Sequence, residues 1–349
     1  MESAPPRQAS PLLAAAAFVV VVAGLKAAAA LVIPCLLAVF IAVICAPILL
    51  WLESRKVPTS IALFVVVTGV IVLLVVLGLF IGTTIAEFTR ALPGYQAGLR
   101  EASTGWLDAL SRLGIEITAD QWREIVNPGR AMGLVGNLLS GLGGLLANGL
   151  LILLTTVFIL LEVASFPRKL GQVVSDPEGF AERMGRVLEN VKRYLAIKTV
   201  TSLATGGMVA GALAVIGVDF PLVWGLLAFL FNFVPSIGSI IAAIPAVLLA
   251  LVQLGSGWAL VVAAIYLAVN IGIGSFTEPR LMGKGLGLST LVVFVSLVFW
   301  GWVLGPVGML LSVPLTMTVK IALEADEQTH WIAVLLGPAR IVGDGPPQR

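Results

Sequence analysis

The sequence predicts an all-α, polytopic helical membrane protein, and three observations carry that expectation. Hydrophobic residues make up 59% of the 349-residue chain and charged residues only 11%, far from the balance of a soluble globular domain. Apolar runs recur that are long enough to cross a hydrocarbon core of ~30 Å at ~1.5 Å of rise per residue. Two of them, Phe220 to Val252 and Leu288 to Lys320, are 33 residues each and broken near the middle, at Pro235-Ser236-Ile237-Gly238 and at Gly305-Pro306-Val307-Gly308. A straight helix of that length would measure ~50 Å, whereas each arm reaches only ~22 Å. Each interrupted run is therefore read as a re-entrant helical hairpin, whose non-helical tip survives at membrane depth only where protein buries it or water lines it.

From the N-terminus, Pro11–Leu52 holds enough apolar residues for a tight pair of spans, with Pro34 placed near the start of the second, where its missing N–H costs nothing. Arg7 before an apolar run imitates a signal peptide, but the run continues to Leu52 without a cleavage context and is read as retained. Lys26 is the one charge inside the pair, read as a lysine snorkelling to the interface. Glu53-Ser54-Arg55-Lys56 is a charged turn before a third span, Thr59 to Ala86. Glu87–Ser140 is amphipathic, with five basic residues against six acidic ones and a capping box at Thr118-Ala119-Asp120-Gln121. A fourth span covers Leu142–Leu161.

Seven Lys/Arg then fall between Arg168 and Lys198. Phe180, Met184, Val187, Leu188, Val191, Tyr194 and Leu195 form one apolar stripe there, as on a helix lying along the membrane surface. Thr199–Val218 makes a fifth span, rich in Gly and small hydroxyl residues that permit close helix contact. The first interrupted run, a span from Trp258 to Ile273, a polar junction at Ser275–Gly287 and the second interrupted run complete the membrane part.

Basic residues in short loops set orientation. Placing Arg168–Lys198 in the cytoplasm puts both termini, Arg55-Lys56, Arg280, Lys284 and Lys320 inside if both interrupted runs are hairpins. The two hairpins then enter from opposite faces, the inverted arrangement of a carrier with alternating access. The chain divides accordingly into an N-terminal three-span segment (1–86), an extracytoplasmic amphipathic helical region (87–140), a transport core (141–325) and a cytoplasmic tail (326–349). Within the core lie the cytoplasmic amphipathic helix 175–198 and the interrupted segments 220–252 and 288–320.

The residue inventory excludes several chemistries. His330, the single histidine, lies beyond the last apolar run, and there is no His-Glu-x-x-His motif. Gly283-Lys284 is followed by Gly285, so no Walker A loop exists. Cys35 and Cys45 sit ten residues apart on one helix, ~15 Å of rise, too far for a disulfide. An enzyme, a metal centre and a cofactor are not expected. A net charge of +2 without a basic aromatic patch argues against nucleic acid.

Ionisable and polar groups inside apolar segments are functional candidates by default. Asn232 precedes the first break, and Pro235, Ser236, Gly238 and Ser239 form it, offering free amides and two hydroxyls to a polar or anionic solute. Gly305 and Gly308 would present backbone alone, and Trp300 and Trp302 flank them as interface anchors or pocket walls. Asn270 ends the penultimate span, and Glu278-Pro279-Arg280 closes it. Pro279 and the glycines at 283, 285 and 287 are expected to forbid a regular helix. Glu278 beside Arg280 reads either as an interfacial ion pair or as a coupling site taking a proton or cation.

At these residues the chain resembles the autoinducer-2 exporter-like (AI-2E) family. The matching stretches are Asn-Phe-Val-Pro-Ser-Ile-Gly at 232–238, Glu-Pro-Arg-Leu-Met-Gly-Lys-Gly-Leu-Gly-Leu-Ser at 278–289, and the run Phe299–Leu315. Thr290 departs from the proline usual there. The resemblance implies a bacterial inner-membrane permease of about eight spans that forms homo-oligomers. It implies export of autoinducer-2 in some members and sodium or lithium/proton antiport in others. The expected function is a secondary transporter of a small polar solute or monovalent cation, with a proton or Na+ as coupling ion. A passive channel and a non-transporting scaffold subunit are the alternatives.

Overall fold

A computed structural model describes residues 11–112, 128–163, 177–235, 237–282, 287–324 and 329–338. All regular structure among them is helical, and five helices are long and apolar enough to cross a membrane. The chain is a multi-pass, all-α membrane protein.

The helices are α1 (Pro11–Ala27), α2 (Ala29–Ser54), α3 (Thr59–Arg112), α4 (Pro128–Ala147), α5 (Gly149–Val163) and α6 (Pro177–Ile216). After them come α7 (Pro221–Phe231), α8 (Gly238–Leu254), α9 (Ser256–Val269), a π-helical turn (Asn270–Thr277), α10 (Glu278–Met282), α11 (Thr290–Glu324) and α12 (His330–Leu335).

Several boundaries differ from the sequence reading, each for a local reason. Only Ala28 separates α1 from α2, and α1 spends its apolar face on α11, stacking Phe18 on Phe299. Pro34 lies five residues inside α2, past the first turn, where its ring forgoes a helical hydrogen bond instead of costing nothing. The charged turn is a helix stop. Lys56 takes a left-handed φ of 66°, with Lys56 N bonded to Glu53 O and Val57 N to Leu52 O.

The helix of the third span does not stop at Ala86: α3 runs 54 residues to Arg112 without a break. The expected fourth span instead crosses a break at Asn148 between α4 and α5. Its expected neighbour, the capping box at 118–121, lies outside the described residues. The surface helix and the fifth span are a single 40-residue helix, α6, about 60 Å long.

At each interrupted run the chain turns back on itself. In the first, Asp219 N, ahead of α7, donates to Gln253 Oε1 near the end of α8, 34 residues on, at 3.0 Å. In the second, α11 folds at Gly305 (φ 66°, ψ −151°), a conformation only glycine adopts without strain. Its flanking arms meet through Ser296, whose Oγ donates to Ser312 O at 2.9 Å, and at the base Lys320 Nζ donates to Gly287 O at 2.7 Å.

The buried apolar residues form several clusters, and α6 takes part in two of them. Val209 and Leu213 in the C-terminal half of α6 share the largest core with Val223, Trp224 and Leu227 of α7, Ala246 and Leu249 of α8, and Phe88, Leu99 and Met132 of α3 and α4. Gly206 and Gly225 make that crossing close, since a Cβ on Gly206 would lie 2.6 Å from Gly225 O. The N-terminal half of α6 buries Tyr194 and Leu195 against Phe40 and Val43 of α2 and Val313 and Met317 of α11.

Candidate functional site

The first break is a short loop wrapped on itself. Asn232 N donates to Ala228 O, Phe233 N to Leu230 O, Val234 N to Phe231 O, Ile237 N to Pro235 O and Gly238 N to Val234 O. The free amides expected there are thus taken within the loop, because the chain tightens through single turns before α8 begins. Pro235 is half-buried and Ser239 offers a half-buried hydroxyl on the first turn of α8. Ser236 lies outside the described residues. Gly238 is buried, and a Cβ there would collide with the Phe231 carbonyl.

Asn232 is 8% exposed, and its Nδ2 donates to Ser202 Oγ of α6 at 2.9 Å. One turn earlier on α6, Lys198 is 5% exposed and its Nζ donates to both oxygens of Glu278, at 2.7 and 2.8 Å. Four residues of helix separate Lys198 from Ser202, ~6 Å of rise. The face of α6 that carries Lys198, Thr201, Ser202 and Thr205, all buried, thereby joins the loop at Asn232 to the junction at Glu278.

The junction itself is more ordered than expected. Asn270 opens a π-helical turn, closed by Thr277 Oγ1 donating to Gly272 O at 2.9 Å. Pro279 does not stop the helix: α9, the π turn and α10 follow one another without a break, and the switch out of π geometry falls immediately before the proline. A π turn re-aims the residues after it and is common at functional sites; here it delivers Glu278 to Lys198. Arg280 is exposed and Glu278 is bonded to Lys198. On a helix, residues i and i+2 point apart, so adjacency in sequence misled. Gly283 to Leu286 lie outside the described residues.

Two buried hydroxyls have no hydrogen-bond partner among the described residues, Thr199 Oγ1, next to Lys198 on α6, and Tyr266 Oη on α9. Buried donors are normally satisfied, so each is an available contact for a polar solute.

The second break is separate. Just before Gly305 and Gly308, Val303 and Leu304 cluster with Val22 of α1 and Ile33 and Leu36 of α2. Trp300 turns inward, its Nε1 donating to Thr316 Oγ1 at 3.0 Å, while Trp302, 59% exposed, carries the Lys26 ammonium 3.8 Å from its ring centroid. The first loop meets α2 one turn further on, where Phe233 stacks edge-on with Phe40 at 5.6 Å. The structure thus unites Asn232, Glu278 and the first loop through α6, with Asn270 opening the turn before Glu278, while Gly305 and Gly308 lie at the other tip.

Sequence reasoning missed Lys198, which it counted with the cytoplasmic basic cluster. The signal was present: the apolar stripe through Val191, Tyr194 and Leu195 continues at position 198, so a lysine falls on a buried face.

A buried, charge-paired line between an interrupted hairpin and a π-distorted helix, in an all-helical membrane protein, defines a transport protein. The AI-2E family transporter model matches residues 15–327. The AI-2 transport protein TqsA of Escherichia coli (strain K12) is 44% identical over 319 residues, 91% of this chain and 92% of that protein. A putative transport protein of Haemophilus influenzae is 42% identical over 335 residues, 93% of this chain and 95% of its own length. The putative transport protein YhhT of Escherichia coli (strain K12) is 38% identical over 329 residues, 94% of each chain. This chain belongs to the AI-2E transporter family; its relatives are transport proteins, not enzymes.

Proposed function

We propose that this chain is a secondary transporter of the bacterial inner membrane that exports a small polar solute of the autoinducer-2 type, driven by a proton or Na+ gradient. The solute would lie beside α6, contacting Ser239, Asn232, Asn270 and the unpartnered hydroxyls of Thr199 and Tyr266, with Glu278 as coupling carboxylate. The observation that carries this reading is the Lys198–Glu278 pair, buried in a membrane protein with no nucleotide-binding motif. The relative named for AI-2 transport supports the solute class. In this reading both hairpins are re-entrant from opposite faces, both termini are cytoplasmic, Gly305 and Gly308 serve as a hinge, and the protein works as a homo-oligomer.

The test is autoinducer-2 release from proteoliposomes under an imposed proton or sodium gradient. Wild-type release is expected to follow the gradient and to fall at least tenfold in Glu278→Gln, the scale of losing one essential proton-transfer group, about 10²-fold at full effect. Release that persists after the gradient is collapsed identifies a passive facilitator. Unchanged release in the variant removes Glu278 from the mechanism.

A further inference from the structure

Building on the transporter reading, we infer that Lys198 is the resident counter-cation of Glu278: its ammonium occupies a monovalent-cation site that a proton or alkali ion takes over during the transport cycle. The geometry is that of an occupied site. A primary ammonium stands 2.7 and 2.8 Å from the two oxygens of one carboxylate, and the side chains are 6% and 16% exposed. A small cation bound there would meet the same two oxygens.

Among the described residues this role falls to Lys198. Tyr194, one turn earlier on α6, is a further ionisable group buried beside the pair. From α2 and α11, Phe40, Val43, Val293, Val313 and Met317 pack in the cluster around Tyr194. Arg280 on α10 itself is exposed. Lys320 at the base of α11 is engaged with Gly287 O and, at 3.3 Å, with Glu324. Once Lys198 withdraws, Glu278 is a buried anion without a partner and must take up a cation.

The exchange is also coupled to the candidate solute site. Lys198 and Ser202 share one face of α6, and Ser202 holds Asn232 at the first loop. A movement of α6 that pulls Lys198 from Glu278 displaces the Ser202–Asn232 contact with it. Coupling through one rigid helix with two bonded partners is a contiguous physical route between the sites.

The alternative role for the pair is a structural brace, and neutral isosteres separate the two. A brace replaced by two neutral groups of similar shape leaves fold and function intact, because no charge is stranded. An exchange site so replaced leaves the fold intact and stops coupled transport. The experiment uses the full chain in proteoliposomes loaded with autoinducer-2, with one arm under a proton gradient and the other under a sodium gradient.

Lys198→Arg is expected to retain gradient-driven release. Lys198→Met is expected to lower it about tenfold or more under both gradients, because Glu278 is left with no resident cation to exchange. The double variant Lys198→Met/Glu278→Gln is expected to insert as monodisperse protein and to release nothing under either gradient. Wild-type gradient-driven release in Lys198→Met, or gradient-driven release in the double variant, overturns the inference. If Lys198→Met fails to insert, Lys198→Gln is read in its place. Wild-type protein that releases nothing under a gradient removes the transporter reading itself, an outcome distinct from both.

Discussion

The two hairpins are built alike at their tips and differently along their arms. At each tip a buried glycine leaves no room for a side chain: a Cβ would run into the carbonyl of the arm before it, Phe231 for Gly238 and Trp300 for Gly308, and would lie 3.0 Å from Val234 Cβ or 2.8 Å from Leu304 Cβ. The first hairpin packs its arms mainly through apolar side chains, with Asp219 N bonded to Gln253 Oε1 across the base, and sends other polar bonds to its neighbours. Asn232 reaches α6, and Asp219 accepts from Tyr95 of α3 at 2.8 Å. The second keeps its polar groups between the arms, where Ser296, Ser312, Trp300 and Thr316 bond one another. The difference separates two roles that the shared Gly/Pro pattern conceals. One hairpin is wired to its neighbours, including the helix that holds Glu278. The other is braced within itself.

The comparison is most exposed at the glycines. Gly238→Ala and Gly308→Ala each force a methyl into a backbone carbonyl, which cannot move aside like a side chain. Each is expected to destabilise by about 3 kcal/mol, the upper end for overpacking, read as a large fall in melting temperature in nanodiscs. Equal losses support the equivalence of the tips. Tolerance at one position alone would show that the shared pattern is not a shared structure.

The arms come next. Thr316→Val removes the acceptor of Trp300 Nε1, leaving that donor short, and one partner of Ser296, whose hydroxyl still donates to Ser312 O; about 1–2 kcal/mol is expected, somewhat above the average interhelical bond in a bilayer. Ser202→Ala removes a single partner of Asn232 and is expected to cost about 1 kcal/mol in melting while also changing release kinetics. The split matters more than the sizes. A stability loss without a kinetic effect at Thr316, and a kinetic effect at Ser202, is what internal bracing against external wiring predicts. The opposite split would reverse the assignment.

Much of this was readable before any coordinates. Apolar run lengths announced the membrane helices, and Gly/Pro pairs marked both points of chain reversal. Asn232 and Glu278 stood out as polar groups in apolar surroundings. What resisted reading has identifiable causes. The extent of α3 past Ala86 was hidden because amphipathic and fully apolar sequence both sustain a helix, and only solvent changes between them. The α6 continuity was hidden in the same way. Lys198 was misfiled by its neighbours in sequence, since proximity to other basic residues outweighed its position on the stripe. Arg280 was favoured by adjacency, which helical geometry cancels.

The smallest effect tests how the second tip is held from outside. Lys26 and Trp302 are both exposed, and their contact is the main polar tie between α1 and the tip. An exposed cation–π pair contributes about 0.5–1 kcal/mol, more where water is excluded. Trp302→Leu keeps the apolar contact with α1 but loses the ring face, so its melting temperature should fall only slightly and by the same amount as Lys26→Met. The double variant should fall no further than either single one, because the two act through one contact. Additive losses would mean that Lys26 reaches past the ring to another partner, and the self-braced hairpin would then have an outward tie of its own.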